Sequence, residues 1–438
     1  MTTTIDPLLQ TLQNTLETLH QQQPTVPLPL NSNTLGNPGS EIISLFQQHL
    51  GVSSIALNSN IAIVPDTEKG TLVVQGISVN TLLKIDKPEI TATFSINNST
   101  LAIELIIKTG STWKLTDSFS SLSQTIFNQL TFVNTATNRP YFILNSANNQ
   151  GVIPSDLETG LNLAADLNLS PPADILLNLI PGVTNPLPLK GTVQINASNE
   201  ALAITGKIPD FSIKLPNFLA ELSFENAKFV LHAESVTESS VEEGETHYLT
   251  YGLRVQGDVN IEGSILPLAV ELPLGLTGWT IMFIPGQQVS FERLLPIVPG
   301  MDLISILPDQ LSQKFDSVEV TNFTLQLTRD KSNFNALYLS VGSDFEDINR
   351  TSSSGPLWAI LPGILELKDL SLNLSVIRDS KGGLRKLRKS GSLQGTFFLG
   401  NALTLSPEIS FPVGDGNWSL QCYSEIALPN LESFAHLL

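Results

Sequence analysis

Apolar residues recur at every second position through much of the chain, and the same stretch of that pattern appears more than once. From Val255 to Phe283 the sequence reads VQGDVNIEGSILPLAVELPLGLTGWTIMF. Leu268, Val270, Leu272 and Leu274 alternate there with Ala269, Glu271 and Pro273. Side chains alternate faces along a β-strand, so this period predicts a strand with one buried and one wet face. A second copy runs from Leu393 to Cys422, with Leu403, Leu405, Ile409, Phe411 and Val413 set against Thr404, Ser406, Glu408 and Ser410. Gly257 and Gly395 are 138 residues apart, and Trp279 and Trp418 are 139 apart. A looser copy near the N-terminus has VQG at Val74–Gly76, PEITATF at Pro88–Phe94 and WKL at Trp113–Leu115. Three copies of one pattern predict a chain built from repeats that stack and bury each other's apolar faces.

The expected fold is all-β: antiparallel, sandwich-like or rolled sheets built from internal repeats, with short helices at the N-terminus and between strands. Residues 1–39 read as a helix and linker, 40–150 as a first β repeat, 151–285 as a second, and 286–438 as a third with a short C-terminal helix. Asp6 and Pro7 suit a helix N-terminus, and Ile5, Leu8, Leu9, Leu12, Leu16 and Leu19 fall on one helical face. A second short helix is expected over Glu41–Leu50, stopped by Gly51. Phe119, Leu122, Ile126 and Leu130 predict a further helix, and Ser170-Pro171 can open another through Ile180. Asn60–Val64 and Thr71–Val79 flank the turn PDTEKG as a hairpin. Strands are also expected at Val318–Leu327 and Leu370–Ile377.

Ser264–Pro285 matches the length of a membrane span, roughly 20 residues, and carries one charge, Glu271. Its period of 2, and the interruptions at Pro267, Pro273, Gly275 and Gly278, favour a strand pair over a transmembrane helix. The N-terminus has no basic n-region followed by an apolar run. That points to a cytoplasmic protein, or to export without a Sec-type signal peptide. The net charge of −18 disfavours a general nucleic-acid or anionic-membrane surface. Cys422 is the single cysteine, so no intrachain disulfide supports the fold.

Charge is unevenly placed. Glu234, Glu238, Glu242, Glu243 and Glu245 crowd one segment, which reads as a solvated hairpin tip. Arg378, Lys381, Arg385, Lys386, Arg388 and Lys389 crowd another, around Gly382-Gly383. They form a candidate docking patch at a hairpin tip, for an acidic surface or a second copy of this chain. Asp344, Glu346 and Asp347 are the densest acidic triplet and the candidate calcium ligands, although an exposed turn explains them as well.

No nucleophile elbow, phosphate loop or dinucleotide fingerprint is present. The five histidines do not pair with each other or with Cys422 at ligand spacing, so no zinc site, cofactor or catalytic residue is expected. The VQG-type strand, the proline-bearing alternating strand, the glycine before tryptophan and the leucine-proline segments together resemble the large uncharacterised β-repeat proteins of bacteria and fungi. That resemblance implies no activity. The first copy departs from it, with 37 residues from Gly76 to Trp113 against 22 and 23 in the later copies.

The leading expectation is a non-enzymatic structural or protein-interaction module, a component or cargo of a larger assembly, with a protein partner or self-association. The alternative is a carrier whose apolar groove holds a hydrophobic ligand such as a lipid. An enzyme ranks third, because residues distant in sequence can still converge.

Overall fold

The computed structural model describes residues 5–97, 99–146, 159–195, 200–213, 222–240, 244–261, 264–273, 278–284, 289–290, 319–328, 334–342, 358–361, 365–379, 386–399, 403–405, 407–412 and 419–422. The fold is all-β with short helices, and every described pairing between strands is antiparallel. The chain forms two compact units, residues 1–209 with 228–254, and residues 210–227 with 255–438.

In the first unit the strands are β1 (Leu28–Leu30), β2 (Ile55–Asp66), β3 (Thr71–Ser78), β4 (Glu89–Asn97), β5 (Thr100–Lys108), β6 (Tyr141–Asn145), β7 (Gly160–Leu167), β8 (Leu187–Ile195) and β9 (Glu200–Lys207). Each pairs with the next, giving an uninterrupted meander. Leu72, Val74, Ile90, Phe94, Leu105, Phe142 and Leu163 are buried on one face of it. Helix α1 (Pro7–Gln22) packs on β1 to β4. Asp6 caps it, its side chain accepting from Leu8 N at 2.8 Å. The buried stripe is Leu9, Leu12 and Leu16, while Leu8 and Leu19 at the stripe's margins are exposed. The expected apolar face is therefore narrower than the sequence suggests.

After α2 (Ser32–Leu35), helix α3 (Ser40–Leu45) continues as a π turn to Leu50, and Gly51 ends it in the left-handed conformation at φ 69°. Ile42 and Phe46 from this segment are fully buried. The helix expected around Phe119–Leu130 is broken into α4 (Leu115–Ser118) and two 3-10 turns, Ser120–Gln124 and Ile126–Gln129. Local side chains compete with the helical backbone here: Thr125 Oγ1 accepts from Phe127 N, and Ser118 Oγ donates to Leu83 O at 2.8 Å. The segment after Ser170 turns before it becomes helical, and only α5 (Ile175–Leu179) forms.

The remaining strands are β10 (Phe211–Ile213), β11 (Leu222–Ser240), β12 (Gly244–Ile261), β13 (Ser264–Glu271), β14 (Trp279–Phe283), β15 (Val289–Ser290), β16 (Glu319–Leu327), β17 (Phe334–Gly342), β18 (Trp358–Leu361), β19 (Leu365–Asp379), β20 (Lys386–Leu399), β21 (Leu403–Leu405), β22 (Pro407–Pro412) and β23 (Ser419–Cys422). In the first unit, the middle of β11, from Lys228 to Glu234, pairs with β9. In the second, pairing runs β13–β14–β16–β17–β19–β20–β22–β23. Its rungs alternate in chemistry. Val320, Val341, Leu372, Leu393, Ile409 and Leu420 stand in register across six strands. Another rung is Asn322, Ser340, Asn373, Ser392, Ser410 and Ser419. The membrane-length stretch is the β13–β14 hairpin, and among the described residues no helix is long and apolar enough to cross a membrane.

The repeat is real at the level of register. Moving the β13–β14 pairs on by 139 residues reproduces β22–β23: Leu268↔Phe283 becomes Pro407↔Cys422, and Glu271↔Thr280 becomes Ser410↔Ser419. Leu268, Leu272 and Trp279 are all buried, as the repeat pattern requires. Trp418 lies outside the described residues. Trp113 is also buried, but it follows β5 instead of opening the hairpin's second strand. Its indole donates to Ser118 Oγ at 3.0 Å and meets Phe142 edge-on at 5.9 Å.

The glycine of the V-Q-G motif, L-Q-G in the third copy, has one structural job throughout. Gln75 pairs with Ala62 and Ile77 with Ser59, so Gly76 faces a bulge around Asn60, whose φ is 52°. Gly257 faces the equivalent stretch of β11, where Asn226 also has φ 52°. Gly395 pairs with Leu370, next to the irregularity between Leu367 and Leu370. A bulge crowds the facing strand, and a residue without a Cβ accommodates it. Asparagine tolerates the left-handed conformation better than most residues.

Candidate functional site: a polar groove, a carboxylate clasp and two charged hairpins

The groove lies on the first unit. Glu89 of β4, Ile106 and Lys108 of β5, Ala136 to Arg139 of the following loop, and Tyr141 of β6 enclose about 210 Å³. That is smaller than the roughly 300–1,000 Å³ of pockets for larger organic ligands. Lys108 Nζ and Glu89 Oε1 pair at 2.6 Å. Arg139 Nε donates to Thr135 O at 3.2 Å, and Asn138 Nδ2 donates to Asp166 Oδ2 at 2.8 Å. Burial raises the Tyr141 pKa, and the negative charges of Glu104 and Asp166 raise it further. Both effects favour the neutral phenol over the phenolate. Burial also raises Glu104, against the opposing charge of Lys190. Lys108 binds Glu89, Asn138 binds Asp166 and Arg139 binds a backbone carbonyl, and these contacts do not place a nucleophile beside a base.

Glu200, at the start of β9, forms the densest polar contact among the described residues. Its Oε1 accepts from Lys84 Nζ at 3.0 Å, from Ser120 N and from Ser120 Oγ. Its Oε2 accepts from Ser121 N at 2.8 Å and from Ser121 Oγ at 2.6 Å. Burial alone would raise the carboxyl; the hydrogen bonds from Ser121, then the hydrogen bond and charge of Lys84, outweigh it and hold the pKa below its ordinary value. This clasp ties β9 to the β3–β4 loop and to the 3-10 turn at Ser120. Its members are 116 and 80 residues apart, so no spacing in the sequence signals it.

His49, in the last part of the π turn, lies beside Gly160, where an added Cβ would stand 3.3 Å from the imidazole Cε1. Burial lowers its pKa. Among the described residues no three His, Cys, Asp or Glu side chains gather in a way that could hold a metal ion. The calcium candidates Asp344, Glu346 and Asp347 lie outside the described residues.

Four of the six residues of the basic patch lie on strands β19 and β20. Arg378 pairs with Leu387, Asp379 with Lys386, Ile377 with Arg388, and Val376 with Lys389, at the far end of the β19–β20 hairpin. Lys381 and Arg385 lie outside the described residues. In the acidic segment, β11 runs on to Ser240 and β12 begins at Gly244, so Glu234, Glu238 and Glu245 belong to strands and not to a long loop. Glu234 is exposed, and Thr250 Oγ1 donates to its backbone carbonyl at 3.2 Å.

No protein-family model matches the chain, and neither the curated proteins nor the solved structures contain a match to it.

Proposed function

We propose that this chain is a non-enzymatic β-repeat module that serves as a structural or protein-interaction component. The observation that carries the reading is the filled interior of the first unit. Leu9 and Leu16 of α1 and Phe46 of the π turn have no exposed surface, and α1 packs on the strands that bear Leu72, Val74, Ile90 and Phe94. A carrier would leave that apolar face for its ligand; here the chain's own helix covers it. In the groove Lys108 binds Glu89, and in the clasp Lys84, Ser120 and Ser121 bind Glu200, so these charged groups hold the chain's own elements together.

Native mass spectrometry of the purified protein tests the reading. The expected spectrum is that of the bare polypeptide or of its multiples. A stoichiometric lipid adduct that survives gentle desolvation sinks it in favour of the carrier.

A further inference from the structure

We infer that the β3–β4 loop, residues 79–88, is a strained flap that opens and closes on the first unit while the sheet beneath it stays folded, with Glu200 as its latch. The inference goes beyond the interaction-module reading and does not depend on it.

The backbone of the flap is in conformations that its residues disfavour. Leu82 N donates to Ile85 O at 3.0 Å and Ile85 N to Leu82 O at 2.8 Å, so Leu83 and Lys84 form the two-residue tip of a tight turn. Their φ angles are 53° and 62°, and Lys87 follows at 43°. Tight turns with two left-handed residues favour Asn-Gly. Leucine and lysine carry a Cβ that crowds the following carbonyl in this conformation. Lys87 also precedes Pro88, and a proline favours extended backbone in the residue before it.

Contacts from elsewhere in the chain hold the tip down. Leu82, Leu83 and Ile85 are buried. Leu83 O accepts from Ser118 Oγ at 2.8 Å, and the same hydroxyl receives the Trp113 indole N–H. Lys84 Nζ donates to Glu200 Oε1 and to Ser120 Oγ, each at 3.0 Å. The base is fixed by other groups. Ser78 N donates to Pro88 O at 2.9 Å, Val79 N to Ala56 O at 2.8 Å, and Ala56 N to Asn80 Oδ1 at 3.1 Å. The base is therefore tied to the sheet, and the tip to α4, to the 3-10 turn at Ser120 and to β9. The two sets of bonds share no group, so the tip can lift while the base stays in place. Strain of this kind persists only where the surroundings over-determine the backbone. Lifting the tip relaxes the left-handed residues as it breaks the contacts, which makes opening easier than the contacts alone would allow. It bares Leu82, Leu83 and Ile85, an apolar surface that the closed form hides.

Amide hydrogen exchange, resolved by residue on the full chain over a range of low urea concentrations, tests the flap. In the unmodified protein the Leu82 and Ile85 amides are expected to exchange about 100-fold or more faster than the slowest amides of the β4–β5 ladder. Low urea is expected to change their rate little, because local opening exposes little surface. Glu200→Gln weakens the latch and is expected to speed both amides about ten-fold. Lys87→Gly leaves every contact named above in place and relieves one left-handed residue, so it is expected to slow them about three-fold. A loop without strain would respond the other way, since glycine then only adds freedom to the open form. Leu82 and Ile85 amides that exchange only with the ladder, and with its urea dependence, overturn the inference. So does faster exchange in Lys87→Gly, or unchanged exchange in Glu200→Gln. The comparison within the unmodified protein needs no variant to fold.

Discussion

A Cβ added at Gly257 would stand 2.7 Å from the carbonyl oxygen of Glu225. No ordinary side chain tolerates that approach, so the strand must shift or the bulge must open. Gly257→Ala is expected to destabilise the protein by about 1–3 kcal/mol, the usual cost of overpacking. At Gly76 the nearest atoms are Leu57 Cβ at 3.0 Å and Ser59 O at 3.3 Å, and Gly76→Ala is expected to cost less. Gly110 has no atom within 4 Å of a built Cβ, so Gly110→Ala is the control. Urea unfolding of the three variants gives the order directly; equal losses at Gly257 and Gly110 would refute the account of the V-Q-G motif.

Two leucines three residues apart on α1 should behave differently. Leu16 is fully buried, while Leu19 is 36% exposed. Leu16→Ala is expected to cost about 2–5 kcal/mol, as for a core leucine. Leu19→Ala is expected to stay within about 1 kcal/mol. Thermal unfolding of both variants decides whether α1 fills the interior of its unit. A neutral Leu16→Ala would undermine the filled-interior argument.

Glu200 should confer acid sensitivity. Its folded pKa lies below the ordinary value of 4.5, so its contribution is present above that value and is lost as pH falls through the lower, folded value. Glu200→Gln is therefore expected to flatten the fall of the unfolding midpoint below pH 4.5, while lowering the midpoint at neutral pH. Amide exchange at Ser120 and Ser121 should speed up in the same variant, since both amides donate to this carboxylate.

Glu104 should show the opposite slope. Its folded pKa is raised, so its ionisation disfavours the folded state as pH rises from the ordinary 4.5 toward the folded value. Glu104→Gln removes that penalty and is expected to raise the unfolding midpoint at pH 7 relative to pH 4. A midpoint that falls at both pH values would mean that the Lys190 charge outweighs burial.

Strand existence was legible because period 2 persists wherever one face is buried, and β16, β19 and the β2–β3 hairpin lie where alternation puts them. The repeat was legible for the same reason, and its register held between β13–β14 and β22–β23. Faces were less legible. Ala269 falls among the polar positions of its strand, yet it is fully buried. Asn162 on β7 is buried as well. A small or amide side chain enters a crowded face without changing the sequence pattern. Helices fared worst where hydroxyl side chains bind the backbone, as at Ser118 and Thr125. The clasp at Glu200 left no trace in the sequence, because its partners meet only through the fold.

The rung from Asn322 to Ser419 crosses six strands without a charged residue. Added electrolyte finds nothing along that line to screen, and acid finds nothing there to protonate. Other rungs of the same strands do carry charge, with Glu319 opposite Gly342 and Gln394 opposite Glu408, so this line is the part of the sheet that salt and acid leave unchanged.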